Sequence, residues 1–307
     1  FAQIDEWLPT PNNYRTASGA PGQDYWQNEA DYVMEIELDD DNQIIYGKQL
    51  VTYHNNSPHT LTYLWIQLDQ NVRAKDSDSH KIKQSQIEES VSARTLDEIK
   101  PDFDGGFKLV SVTDKNDNEI PYIINKTMMR ITLATPLYPG QTYSFKTKWW
   151  YNINDRMKIK GRSGYEYFPE DNNYLYTIAQ FYPRMCMYND VYGWQNKQFL
   201  GRGEFTLSFG DYDVKISVPS DHLVASTGEL QNASEVLTKS QLDKLKKAQT
   251  TYKDPVIIAS EAEARKREKT KNKNIKTWHF TASNVRDFAF ASSRKFIWDA
   301  MAVRQSN

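Results

Sequence analysis

The amino-acid sequence predicts an all-β fold, either a large antiparallel β-sandwich or a saddle-like open sheet, with a helical insertion at its surface. Apolar residues recur at every second position in many short segments, which is the pattern of strands with one buried face. Turn-forming residues separate these segments. Only the region of about residues 236–275 has the composition and capping residues of helices. We therefore expect one β domain over residues 1–307.

The strands follow one another from the first alternating segment onward. Residues 32–38 alternate between apolar and polar side chains (YVMEIEL), and an acidic turn separates them from a returning strand. Further strands are predicted at residues 44–54, 64–68, 108–113, 119–124, 130–133, 142–151, 174–180, 204–209, 213–218 and 223–226. Residues 69–106 are polar and long for a loop, so we expect them to fold over the sheet or to contain a short helix.

The helical insertion is predicted from two capping boxes. Thr238 is followed three residues later by Gln241, and Ser260 is followed by Glu263, which is the pattern of a helix N-cap and its partner. Lysine-rich segments follow both caps. A solvated helical face is the favoured interpretation of this charge, over a binding patch.

Composition excludes several classes of function. The net charge of the 307 residues is -2, so no overall basic field indicates binding to nucleic acid or to an anionic membrane. No apolar run approaches the roughly 18–20 residues of a transmembrane segment. Cys186 is the only cysteine, which excludes an intrachain disulfide. Because no histidine is nearby in the sequence, we expect a structural thiol and not a nucleophile.

The sequence contains no recognisable catalytic or metal-binding motif. None of the five histidines pairs with another at the i, i+4 spacing of a helical metal site. His54 and His59 flank a proline-containing turn and could chelate a metal, although surface residues that cap the turn are the favoured interpretation. We expect no catalytic residue, no metal and no cofactor in this chain.

Five segments, taken in order, resemble the N-terminal domain of zinc aminopeptidases, the gluzincin metallopeptidases of the alanyl aminopeptidase and leukotriene hydrolase type. They are spread over nearly the whole chain: residues 21–38 (PGQDYWQNEADYVMEIEL), 54–71 (HNNSPHTLTYLWIQLDQN), 176–195 (YTIAQFYPRMCMYNDVYGWQ), 211–230 (DYDVKISVPSDHLVASTGEL) and 278–301 (WHFTASNVRDFAFASSRKFIWDAM).

The resemblance implies a non-catalytic domain that caps the active site of a zinc aminopeptidase and contacts its peptide substrate. In that family the zinc-binding His-Glu-x-x-His helix lies downstream of this region. We therefore expect a chain truncated before its catalytic domain, inactive alone, with the zinc and the main partner, the catalytic domain of the same polypeptide, in the missing part. The start at Phe1 favours an exported bacterial protein, periplasmic or associated with the outer membrane, with the cytoplasm as the alternative.

Gln180 matches the family position that helps to bind the free α-ammonium group of the substrate. The resemblance implies that its strand lies at a sheet edge or on an uncovered face. Ile178, two residues earlier, is expected on the same face of that strand. A glutamine that only completes an interface is the alternative.

Arg184 and Asp190 match an arginine and an aspartate of the following loop, where the resemblance implies a structural ion pair. The family often has Pro-Cys-x-Asp-x-Pro in this loop, whereas residues 185–190 read MCMYND.

Two other functions remain open. A carbohydrate-binding β-sandwich would use exposed rings among the 8 Trp and 19 Tyr residues, although core aromatics explain such counts equally. A glycosidase would need two carboxylates in a cleft, and the sequence identifies no such pair.

Overall fold

A computed structural model describes residues 11–79, 90, 102–159, 161–201, 203 and 206–304. Strands contain 45% of the residues and helices only 11%, which confirms the predicted all-β sandwich. In the described part no helix is both long and apolar enough to cross a membrane.

The strands of the described residues are named in chain order. They are β1 (Glu29–Asp39), β2 (Ile44–His54), β3 (Leu61–Gln67), β4 (Lys108–Asp114), β5 (Tyr122–Asn125), β6 (Met128–Leu137), β7 (Thr142–Asn152), β8 (Gly164–Phe168), β9 (Asn173–Ile178), β10 (Arg184–Met185), β11 (Tyr188–Asn189), β12 (Gly193–Trp194), β13 (Gly210–Pro219), β14 (Leu223–Ser226), β15 (Glu229–Leu230), β16 (Val256–Ala259), β17 (Ile275–Val285), β18 (Phe290–Ser293) and β19 (Trp298–Ala300).

A seven-stranded sheet with the order β15-β17-β13-β1-β2-β7-β4 forms the larger layer. Its ladders are antiparallel except for the one between β1 and β13, which is parallel. The sheet is therefore mixed, with one parallel ladder among the predicted antiparallel ones. A parallel pair needs a long crossover, and between β1 and β13 the chain builds all of the sheet β10-β3-β6-β5 and half of the sheet β14-β18-β9-β8.

One face of the large sheet is buried and the other is polar. Along β1 every second side chain is buried, as the alternation of residues 32–38 predicts. The intervening residues form exposed cross-strand ion pairs, such as Glu35 with Lys48 of β2 at 2.9 Å.

Two four-stranded sheets contribute the opposing side chains. Their orders are β10-β3-β6-β5 and β14-β18-β9-β8. Apolar residues of both join those of the large sheet in a single core, so the three sheets pack against one another.

The helical insertion contains α1 (Ala233–Val236), α2 (Lys239–Ala248) and α3 (Glu261–Thr270). Thr238 with Gln241 and Ser260 with Glu263 both form complete capping boxes, which confirms the two predicted helix starts. The strand β16 lies between α2 and α3, an element that the lysine-rich composition did not indicate.

One predicted strand is not formed in the described residues. Residues 206–209 are not a strand, and residues 204–205 of that predicted element lie outside the described residues. The long polar segment that begins at residue 69 opens with a 3-10 helix, Asp69–Arg73. Most of the rest of that segment, through residue 101, lies outside the described residues.

Candidate functional site

Residues 179–186, here called the connecting segment, join β9 to the ladder between β10 and β3. Gln180, the second residue of the segment, has a left-handed backbone with φ 55°, which residues other than glycine rarely adopt. The alternation of β9 therefore ends at Ile178. Ile178 is buried and Gln180 is half-buried, so the two do not share the strand face that the sequence predicted. The strand β9 is internal in its sheet, which rules out the sheet edge and leaves the other expected alternative, an uncovered face.

Buried side chains of the large sheet bind the main chain of the connecting segment. Trp149 Nε1 donates to the carbonyl oxygen of Phe181 at 3.0 Å. Gln49 Nε2 donates to the carbonyl oxygen of Pro183 at 2.8 Å. Because each donor lies on a strand of the larger layer, the position of the segment is set by the core.

Gly47 makes room for the first of these donors. It lies opposite Trp149 in the ladder between β2 and β7, and a Cβ at residue 47 would lie 2.3 Å from the Trp149 ring. Only glycine leaves the space that the indole needs to reach the connecting segment.

Gln70 binds the start of the segment. Its Nε2 donates to the carbonyl oxygen of Gln180 at 2.9 Å and more weakly to that of Ala179 at 3.4 Å. Its Oε1 accepts from Arg73 Nη1 at 2.9 Å. The side-chain amide of Gln180 has no hydrogen bond to another described residue. The site thus combines a fixed main chain with an amide that is available to a ligand.

Arg184 is the centre of a buried ion cluster. Its Nε and Nη2 lie 2.9 and 2.8 Å from Asp69 Oδ2, and its Nη1 lies 2.6 Å from Asp287 Oδ2. The Arg184 and Asp69 side chains are 6% and 1% exposed, whereas Asp287 is 40% exposed. This arginine joins the end of β3, the connecting segment and the turn between β17 and β18.

The predicted ion pair between Arg184 and Asp190 is not formed. Asp190 instead binds Arg15, with Nε to Oδ2 at 2.6 Å and Nη2 to Oδ1 at 2.9 Å. The resemblance implied an ion pair between two residues of one loop. A charge buried as deeply as that of Arg184 needs partners at hydrogen-bond distance. Those partners come from Asp69 and Asp287, which are distant in the sequence.

Electrostatics keep Arg184 charged. Burial would lower the pKa of Arg184, but Asp69 and Asp287 more than offset that effect, and the pKa is raised. Burial raises the pKa of the Asp69 carboxyl, while Arg184 and Gln67 oppose the rise. With three donors on Asp69, the pair is a charge-assisted hydrogen-bond network.

Three tyrosines line the inner side of the cluster. Tyr182 donates to Asp287 Oδ1 at 2.8 Å and its hydroxyl lies 3.0 Å from that of Tyr212. Tyr32 accepts from the Met185 main-chain N–H at 2.9 Å. Burial raises the pKa of all three hydroxyls, so they remain protonated and act as hydrogen-bonding groups rather than as bases.

The described histidines and Cys186 do not form a metal site. His54 Nε2 lies 2.7 Å from Asp31, and His59 Nδ1 lies 2.8 Å from the Tyr188 hydroxyl, so the two rings have separate partners. Cys186 is buried, and burial raises the pKa of its thiol, in keeping with a structural role. In the ranges that the structure covers, no group of three His, Cys, Asp or Glu residues could hold a metal ion.

The tryptophans do not favour a carbohydrate-binding face. Every described Trp is buried or half-buried, and the exposed large aromatic residues are tyrosines. A flat row of exposed indole rings is therefore absent from the described surface, and stacking on sugars would depend on the tyrosines alone.

The sequence did not single out Gln70, Arg73, Asp69 or Asp287 as site residues. One signal was present for the first three, since polar residues follow directly after the predicted strand at residues 64–68. Side chains that follow the end of a strand can turn back over the sheet, and from this position Gln70 donates to the carbonyl oxygen of Gln180. No local pattern marks Asp287.

No protein-family model matches the sequence, and no curated protein matches it. Solved structures with some likeness include an M1 zinc metallopeptidase from Deinococcus radiodurans, with 11% identity, a TM-score of 0.44, and 88% of this chain and 43% of that chain covered. A mutant of the same enzyme gives 10% identity, a TM-score of 0.43, and coverage of 89% and 44%. A mutant bound to a Tyr-Ser-Ala substrate gives 11%, 0.43, and coverage of 86% and 42%. This chain spans less than half the length of these structures, and at such identities and TM-scores the likeness assigns neither a family nor an activity to it.

Proposed function

We propose that this chain is the N-terminal β domain of a zinc aminopeptidase, a domain that contacts the amino terminus of a peptide substrate through Gln180. The catalytic zinc belongs, in this proposal, to another domain of the same polypeptide. The ordered resemblance of five segments over nearly the whole chain supports the family.

The geometry of Gln180 is the observation that carries the proposed role. Its carbonyl oxygen is bound by Gln70, its backbone is left-handed, and its side-chain amide has no partner among the described residues. A residue in a strained conformation with an unused polar group is typical of a binding site. The amide oxygen can accept a hydrogen bond from an α-ammonium group.

An apolar surface supports a partner domain. A cleft of about 700 Å³ is lined mainly by apolar side chains of β14, β17 and residues 296–298. The neighbouring β16–β19 ladder exposes Ile257, and Ile297, Met301 and Val303 are exposed close to it in the chain. Apolar surface of this kind is buried when a second domain covers it.

The experiment is a kinetic comparison in the complete polypeptide that contains this chain. Gln180→Ala should weaken the binding of substrates with a free amino terminus by about 1–3 kcal/mol, the usual cost of leaving a buried polar partner unpaired. Peptides with an acetylated amino terminus, if they bind, should lose much less. Gln27→Ala, at another half-buried glutamine, is the matched control. Equal losses for free and acetylated peptides would contradict the proposal.

The isolated chain gives a second, simpler measurement. We expect metal analysis of residues 1–307 to find no stoichiometric zinc, and an alanyl or leucyl anilide to remain intact. Turnover by the isolated chain would show that it is an enzyme in its own right and would remove the proposed division of labour.

A further inference from the structure

The strand β14 has a free edge that opens into the apolar cleft. It is the first strand of the sheet β14-β18-β9-β8, so only one of its two sides is paired. All four of its residues, Leu223–Ser226, line the cleft of about 700 Å³. Because successive side chains of a strand point to opposite faces, four successive lining residues mean that the cleft lies along the edge of the strand and not over one of its faces.

The hydrogen bonds of β14 show which main-chain groups this edge presents. The main-chain N–H of Thr227 donates to the carbonyl oxygen of Ala289 at 3.0 Å, in the register of the ladder between β14 and β18. Hydrogen-bonded pairs alternate along an antiparallel ladder. Ala225 therefore bonds to β18, whereas Val224 and Ser226 direct their N–H and C=O groups away from the ladder. Among the described residues, no other hydrogen bond uses the main chain of Val224 or Ser226.

Burial makes this unpaired edge costly. Val224 is only 6% exposed, and Ser226 is half-buried. Buried main-chain groups of folded proteins are nearly always hydrogen-bonded, and a small apolar ligand would leave these groups unpaired. A partner that supplies main-chain donors and acceptors at alternate positions is an extended polypeptide segment.

The other walls of the cleft fit the side chains of such a segment. Leu230 and Phe280 pair in the ladder between β15 and β17, and Leu245 of α2 and Trp298 of β19 also line the cleft. These apolar walls match the alternate side chains of an added strand. Glu229 is exposed at the same cleft, and its carboxylate has no partner in the described ranges. A basic side chain in the segment therefore complements this rim.

We propose that the free edge of β14 receives an extended segment from a second domain of the same polypeptide, as a fifth strand of its sheet. The segment has apolar side chains at alternate positions and a basic side chain beside Glu229. Ile297 belongs both to the cleft and to the exposed apolar surface next to it, so the segment and the second domain share one continuous interface. The second domain rests on the proposed function, whereas the strand-accepting edge does not.

Hydrogen–deuterium exchange of main-chain amides tests the pairing residue by residue. In the isolated chain, the Ala225 N–H should exchange slowly, and those of Val224 and Ser226 should exchange faster. In the complete polypeptide, exchange at Val224 and Ser226 should be slower by about tenfold or more, because each N–H gains a main-chain hydrogen bond. Unchanged exchange at both residues in the complete polypeptide would overturn the inference.

Two variants of Ser226 distinguish pairing from simple coverage. Ser226→Pro removes one donor of the free edge, and proline is tolerated where the N–H points away from the ladder. In the complete polypeptide it should speed exchange at Val224 by about tenfold. Ser226→Ala is the matched control, because it also loses the hydroxyl contact with Ala289 but keeps the donor, and it should leave this exchange unchanged. Full protection of Val224 in Ser226→Pro would mean that coverage alone protects the edge, and the inference would fail.

A blocked peptide tests the edge without the second domain. Acetyl-Lys-Val-Thr-Val-amide offers alternate apolar side chains and a lysine, and it has no free amino terminus for Gln180. In a nuclear magnetic resonance titration of the isolated chain, it should shift the amide signals of Val224 and Ser226. The same peptide with every main-chain nitrogen methylated should bind about tenfold more weakly or less, because its donors are lost.

Equal binding of the two peptides would indicate a cleft for apolar side chains alone and would overturn strand addition. Binding of the unmethylated peptide alone, without added protection in the complete polypeptide, would overturn the second domain as the occupant. If the complete polypeptide protects Val224 and Ser226 while Gln180→Ala affects free and acetylated substrates equally, the strand addition is supported and the proposed substrate role fails.

Discussion

Two buried arginines, Arg184 and Arg294, each join two carboxylates from distant parts of the chain. Arg184 binds Asp69 and Asp287. Arg294 Nη1 lies 2.6 Å from Asp40, and its Nε lies 2.9 Å from Asp221 but is poorly aligned for a hydrogen bond. Both arginine side chains are 6% exposed.

The surroundings of the two clusters differ. Around Arg294 the carboxylates also accept from other groups, namely the Tyr176 hydroxyl on Asp40 and the Thr270 hydroxyl and Asn272 main-chain N–H on Asp221. These contacts fasten the turns at one end of the domain to β9. The cluster around Arg184 adjoins Gln180, whose side-chain amide has no hydrogen bond to another described residue. The two clusters have the same types of residue, so the unused amide beside Arg184 is what distinguishes the candidate binding site from a structural ion cluster.

The largest expected effect is on stability. Arg184→Gln leaves two carboxylates without their cation and should lower the free energy of unfolding by about 3–5 kcal/mol. Arg294→Gln should have an effect of the same kind but smaller, because Arg184 makes three contacts of 2.9 Å or less with its carboxylates, whereas Arg294 makes one well-aligned contact, to Asp40. Denaturant titration of both variants measures the difference. A loss under about 1 kcal/mol for Arg184→Gln would mean that the cluster does not stabilise the connecting segment.

A pH-dependent effect should appear beside the Arg294 cluster, at His222. His222 is buried beside Ser292, with Nδ1 2.8 Å from Oγ, and burial lowers the pKa of its ring from 6.5 to about 4. The folded state therefore binds fewer protons than the unfolded state between these values. The contribution of the neutral His222 ring to the free energy of unfolding is complete above the unfolded pKa of about 6.5. It falls as the pH drops to about 4, by on the order of 3 kcal/mol in total.

The charged groups that act on His222 come from several elements and partly compensate one another. They are Asp40, Asp221, Arg294 and Arg267. His222→Asn should remove the pH-dependent part of stability in that window while carboxylate titration remains. Denaturant titrations of both proteins at several pH values give the difference. Parallel profiles of the two proteins would show that His222 titrates normally.

The smallest expected effect concerns the strained backbone of Gln180. Gln180→Gly removes the cost of a left-handed conformation and should stabilise the chain by up to about 1 kcal/mol. Lys271→Gly is the control, because Lys271 is left-handed at the end of α3 with φ 43° and has no proposed ligand role. Thermal unfolding compares the two. A destabilised Gln180→Gly variant beside a stabilised Lys271→Gly variant would mean that the Gln180 side chain supports the fold.

The sequence alone determined the strands β1 and β2 and the starts of the two helices that have capping boxes. The alternation of residues 32–38 and 44–54 corresponds to β1 and β2, and both capping boxes form as predicted. These features depend on side chains within a few residues of one another, because strand period and helix capping are local properties of the chain.

Tertiary structure alone decided the partners of Arg184 and the conformation of Gln180. Asp69 and Asp287 lie 115 and 103 residues from Arg184 in the sequence, and nothing local selects them over Asp190. Gln180 leaves the alternation of β9 where Gln70 and Trp149 bind the main chain around it. The parallel ladder between β1 and β13 also joins distant parts of the chain. Long-range packing and the pairing of buried charges select all of these contacts, and local sequence patterns do not encode them.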